Sequence, residues 1–143
     1  EYAMNVAADL GRDVSAMTKL VSKMKVNSKA KGLIKYLQVD GDKASRAVEQ
    51  TASLSAKIAD SDLDRLGSRS ERSMEKLQFQ ADLAAKEAKD TADLAGELLD
   101  YNLDPKLKRL IRNVQNDAEM AASAASELAT GTETVASLAG LTL

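Results

Sequence analysis

An all-α fold, an elongated antiparallel up-down helical bundle of three or four long helices, is what this sequence predicts, and three observations predict it. One Pro and seven Gly in 143 residues leave few places for the chain to turn. Apolar residues recur at alternating steps of three and four, the heptad pattern of helices that pack on helices. Ala, Leu, Lys, Glu and Met, all good helix formers, dominate, whereas the aromatic residues that favour strands make up only 3%.

The first apolar stripe is Ala3, Ala7, Leu10, Val14, Met17, Val21 and Met24. Its phase slips at Asn27-Ser28 and resumes at Ala30, Leu33, Ile34 and Leu37, which predicts one helix over 3–38 with a kink near Asn27, Ser28 and Gly32. Asp40-Gly41-Asp42 reads as a turn, with Asp42 capping a second helix over 43–66. That helix carries Ala44, Ala47, Thr51, Leu54 and Ile58 at heptad spacing. Ser68-Arg69-Ser70-Glu71 has the form of a capping box and starts a third helix over 68–101. Its stripe runs through Met74, Leu77, Ala81, Ala84, Ala88, Ala92, Ala95 and Leu99. A single unbroken helix over 43–101 stays open as the alternative. Asp104-Pro105 is the clearest punctuation, Asp104 as N-cap and Pro105 in the first helical position. The fourth helix, 105–130, buries Leu107, Ile111, Val114, Ala118, Ala121, Ala125 and Leu128, and Thr130-Gly131-Thr132 ends it before a short tail over 131–143. Short turns between long helices make neighbours antiparallel, and the whole of 1–143 reads as one domain. The seams over 81–95 and 118–125 are nearly pure Ala, so backbones approach to the near end of the ~8–10 Å range and the core there is thin.

Residue types exclude much chemistry. The chain has neither Cys nor His, which removes thiolate nucleophiles, disulfides, the commonest general base and the commonest metal ligand. Ser22 with Lys25, Ser28 with Lys31 and Ser73 with Lys76 match a Ser-x-x-Lys nucleophile pattern, but no companion motif accompanies them. Counted from Asp60, carboxylates at Asp60, Asp62, Asp64 and Glu71 have the spacing of a calcium loop. Arg65 stands where that loop needs Gly, so helix capping is the expectation and no metal site is assigned. No Gly-rich phosphate loop is present, and no cofactor or small-molecule substrate is expected. No run approaches the ~18 apolar residues of a membrane span.

Charge is unevenly distributed. Lys19, Lys23, Lys25, Lys29, Lys31 and Lys35 occupy 14–39 without a single acid. Across 82–104, seven acids (Asp82, Glu87, Asp90, Asp93, Glu97, Asp100 and Asp104) face only Lys86 and Lys89. A net charge of -2 and a near absence of aromatic platforms argue against nucleic acid. The expectation is a non-enzymatic structural or interaction module that presents helix surfaces to a protein partner or to copies of itself as a homo-oligomer, the six lysines being its candidate surface. The alternative is a lipid-interacting bundle that lays amphipathic helices on an anionic membrane, as part of a secreted effector or pore-forming protein. The Ala-dominated heptads resemble in style those of secreted bacterial helical proteins, without a motif that carries residues across. The chain begins Glu1-Tyr2-Ala3 without an initiator Met, which reads as a processed product or an excised fragment; an extracytoplasmic location is the expectation.

Overall fold

The computed structural model describes residues 1–60, 68–138 and 140. Among the described residues four helices make up the fold: α1 (Tyr2–Val21), α2 (Ser28–Asp60), α3 (Ser68–Leu98) and α4 (Pro105–Leu138). Each packs on its chain neighbours, α1 also packs on α4, and α2 touches α4 across the diagonal. The order is therefore a closed ring of antiparallel helices around one core, the all-α up-down bundle that the heptads predict. α2 and α3 are separate helices packed side by side, which closes the question of a single helix over 43–101.

Two predicted boundaries move. The helix expected over 3–38 is broken at 22–27, and the turn expected at Asp40-Gly41-Asp42 lies inside α2. Packing explains both. Ala30, Ile34, Leu37, Gly41, Ala44, Val48 and Thr51 are all buried, in unbroken steps of four and three, so the seam runs straight through Gly41. Asp40 and Asp42 flank the seam and simply face outward or part-outward. Gly41 is there for close approach rather than for turning: a Cβ at this position would stand 2.5 Å from Val14 Cγ2 on α1. One turn further along, Ser45 Oγ donates to the Ala7 carbonyl of α1 at 2.7 Å, and Gly11 leaves room for that hydroxyl.

The fourth helix also runs further than 130. Ala129, Thr132 and Ala136 are buried and continue its stripe to Leu138, so Gly131 is an exposed helix-interior residue and not a terminator. The start of α4 is as predicted. Asp104 Oδ1 accepts the Lys106 N–H at 2.9 Å, the Asp104 carbonyl accepts from Lys108 N–H at 2.9 Å, and Pro105 opens the helix.

Alanines dominate the core. Ala81, Ala84, Ala88, Ala92 and Ala95 on α3 and Ala118, Ala121, Ala124 and Ala125 on α4 are all buried. Bulk is concentrated near the ends of α1, α2, α3 and α4 that meet around 21, 28, 98 and 105, where Met17, Ile34, Leu37, Leu98, Leu107 and Ile111 are fully enclosed. The buried threonines are internally satisfied: Thr51, Thr91 and Thr132 donate to the carbonyls of Ala47, Glu87 and Leu128 at 2.7, 2.9 and 2.7 Å.

Candidate functional site

Up-down connectivity brings the α1–α2 and α3–α4 connections to the same end of the bundle. The α1–α2 connection is built to expose lysines. α1 stops where Ser22 turns its hydroxyl onto the Lys19 carbonyl at 2.7 Å, and the Lys23 and Met24 N–H groups tighten the last turn onto Leu20 and Val21. Lys23-Met24-Lys25-Val26 then runs with alternating exposure. Met24 and Val26 are half-buried against the core, and Lys23 and Lys25 stand in solvent. Asn27 restarts the chain as an N-cap: its Oδ1 accepts the Lys29 N–H at 2.9 Å and its carbonyl the Lys31 N–H at 2.8 Å.

All six lysines of the predicted strip are exposed: Lys19 on the last turn of α1, Lys23 and Lys25 in the connection, and Lys29, Lys31 and Lys35 on the first turns of α2. The fold adds cations that the sequence reading did not single out. α1 and α4 run antiparallel, with Tyr2 and Ala3 near Ala124 and Leu128, and Asp13 facing Asp117. Continuing that register sets Lys19 and Lys23 alongside the first turns of α4, which carry Lys106, Lys108, Arg109 and Arg112. The run was visible in the sequence; its place beside the lysines follows only once α1 and α4 are known to be neighbours.

Among the described residues Arg12–Asp9, at 2.7 Å, is the ion pair present, so none of these cations is neutralised by a carboxylate. The acidic stretch 82–104 lies on α3 and the α3–α4 connection, and its end-most members Glu97, Asp100 and Asp104 reach the same end of the bundle. Asp104 is committed to capping α4. Two helix N-termini make part of the cation placement costly, whereas Lys19 is favoured in the last turn of α1. α2 and α4 both begin at this end with no acid in the first turn, so their partial positive charge adds to that of the side chains. Leu20, Met24, Val26, Leu99 and Leu103 are half-buried against the core here, while Tyr36, beside Lys35 on α2, is 68% exposed. The result is a densely basic surface with Tyr36 exposed at its edge.

Elsewhere there is little that could carry chemistry. Two shallow clefts stand out. One, of about 250 Å³, is lined by Ile58, Met74, Leu77, Leu128 and Val135 at the opposite end. The other, of about 330 Å³, lies between α2 and α3 beside Ala47, Phe79 and Leu83. Neither gathers an acid, a base and a nucleophile. Among the described residues no group of three or more carboxylates could hold a metal ion, and no helix is long and apolar enough to cross a membrane. The Asp62 and Asp64 positions of the calcium-loop spacing lie outside the described residues. No protein-family model, no curated protein and no solved structure matches the chain.

Proposed function

We propose that this protein is a non-enzymatic interaction module that docks its basic end onto an acidic surface of a protein partner. One observation carries the reading: six exposed, unpaired lysines converge on one end of a closed bundle, joined there by the cations of α4. Lys19 is favoured at the C-terminus of α1, but Lys29, Lys31, Lys106 and Lys108 crowd the first turns of α2 and α4, where a cation is disfavoured by about 0.3–1 kcal/mol. The arrangement is useful to a partner that brings the missing carboxylates. Docking of this kind gains on-rate and orientation from complementary charge, and it weakens as salt screens the charges over ~8–10 Å. While the bundle is closed, the fully enclosed side chains beneath this end hold in place the helices that carry the cations.

Anionic lipid headgroups form the second reading, favoured by the run of exposed lysines with Tyr36 exposed beside Lys35. Binding of fluorescent poly-L-glutamate at low salt, compared with co-sedimentation on vesicles containing anionic lipid, separates the two. Saturable poly-L-glutamate binding that falls steeply with salt, and is lost when the six lysines are changed to Gln, supports the protein-docking reading. Retention on vesicles without poly-L-glutamate binding transfers the site to lipid. Failure to bind either probe, or binding unaltered by the six substitutions, overturns both.

A further inference from the structure

Asp117 sits half-buried on α4 at its contact with α1, and its Oδ2 is buried without a hydrogen-bond donor among the described residues. The charged groups that act on it all belong to α1: Asp13 against it, Asp9 one turn earlier, and Arg12. Arg12 is a weak offset, because its guanidinium donates to Asp9 at 2.7 Å on the exposed side of the helix. Among the described residues no charged group of α2 or α3 acts on Asp117. A helix–helix contact in a protein with a thin core therefore holds two facing carboxyls and a third nearby.

We propose that the Asp13–Asp117 pair is a proton-operated latch that holds α1 on α4. With one proton present, the O–H of one carboxyl donates to the other, and the buried Oδ2 gains its partner. Without it, two carboxylates confront each other across the interface, each disfavouring the other and one oxygen desolvated without a donor. Burial, and then the neighbouring Asp13 carboxyl, raise the Asp117 pKa to about 7. The folded state thus holds the proton more tightly than the unfolded chain does. The latch is fully closed below the ordinary carboxylate range and is lost as pH rises through about 7. α1 is the shorter of the two helices that the pair joins, 20 residues against 34, and the chain leaves it through the non-helical 22–27. Lys19 rides on α1, so opening the latch also breaks up the basic end. That last consequence rests on the docking reading; the latch itself does not.

The test is hydrogen exchange on the whole chain, resolved by peptide and corrected for the intrinsic pH dependence of exchange, at about pH 5 and about pH 8. In the unaltered protein, peptides from α1 are expected to lose protection by roughly tenfold or more on going to the higher pH, ahead of those from α3. Asp117→Asn keeps the shape, and its amide N–H donates to the Asp13 carboxylate at either pH. Its α1 protection should stay at the low-pH level throughout. Asp13→Asn should behave alike from the other side. Equal α1 protection at the two pH values in the unaltered protein overturns the latch, and so does a pH dependence that survives Asp117→Asn. Loss of protection in all four helices together assigns the effect to global stability and overturns it equally.

Discussion

A single hydrogen's difference at two glycines separates the roles that a glycine can play in a helix. Gly41 meets Val14 across the α1–α2 contact, and Val14 is β-branched, so it has one favoured χ1 in a helix and little freedom to retreat. Gly41→Ala should therefore destabilise the fold by about 1–3 kcal/mol, the usual cost of overpacking, against a helix-propensity gain of under about 1. Gly131 is also inside a helix, α4, but nothing lies within 4 Å of the Cβ it lacks. Gly131→Ala should raise stability by about 0.5–1 kcal/mol through reduced freedom of the unfolded chain. Urea midpoints on the two variants should move in opposite directions. The same direction for both would mean that the α1–α2 distance is wrong. At the α4 start, Asp104→Ala removes the acceptor for the Lys106 N–H and should cost about 1 kcal/mol, read in the same unfolding curves.

Elements are held by seams, and the α3–α4 pair is the most extensively packed. Ala92 on α3 and Ala121 on α4 are both buried, 5% and 0% exposed, inside stretches where almost every inward residue is Ala. A leucine at either position has no space to occupy unless the helices part. Ala92→Leu and Ala121→Leu should each lower the thermal midpoint, by the equivalent of about 1–3 kcal/mol. A rise in stability, or stronger self-association in sedimentation, would mean that the seam is open in the isolated chain. The helices were legible in the sequence because seams at steps of three and four are hard to produce by chance over thirty residues. Their ends were less so. Asp40-Gly41-Asp42 has turn chemistry, but Leu37, Gly41, Ala44 and Val48 keep the heptad phase, and tertiary packing overrides local preference. The true break at 22–27 contains no Gly or Pro. It shows instead as a phase slip, a change from heptad spacing to the alternation Lys23-Met24-Lys25-Val26, and a capping Asn27. Thr130-Gly131-Thr132 misleads for the same reason as Asp40-Gly41-Asp42, with Thr132 buried and bonded to the turn before it.

Across the whole molecule, charge is separated along the bundle's length. The stretch 14–39 carries six lysines and no acid, while the full chain is -2, so the remainder carries a net of eight negative charges. This half of the candidate surface could be read from the sequence as a run without acids. The α4 half could not, because Lys106, Lys108, Arg109 and Arg112 join it only through the pairing of the first helix with the last. The basic end stands on the bulkiest part of the core, and the chain's one Phe, Phe79, lies on the outside at 69% exposure, away from that end. The central claim is that binding is local to the basic end, and amide chemical-shift mapping with unlabelled poly-L-glutamate at low salt tests it most directly. Docking predicts perturbations confined to 19–35 and 106–112 that fade as salt is added. Perturbations centred on Phe79 and Leu83, or on Met74, Leu77 and Val135 at the opposite end, would contradict it, as would a spectrum that does not change.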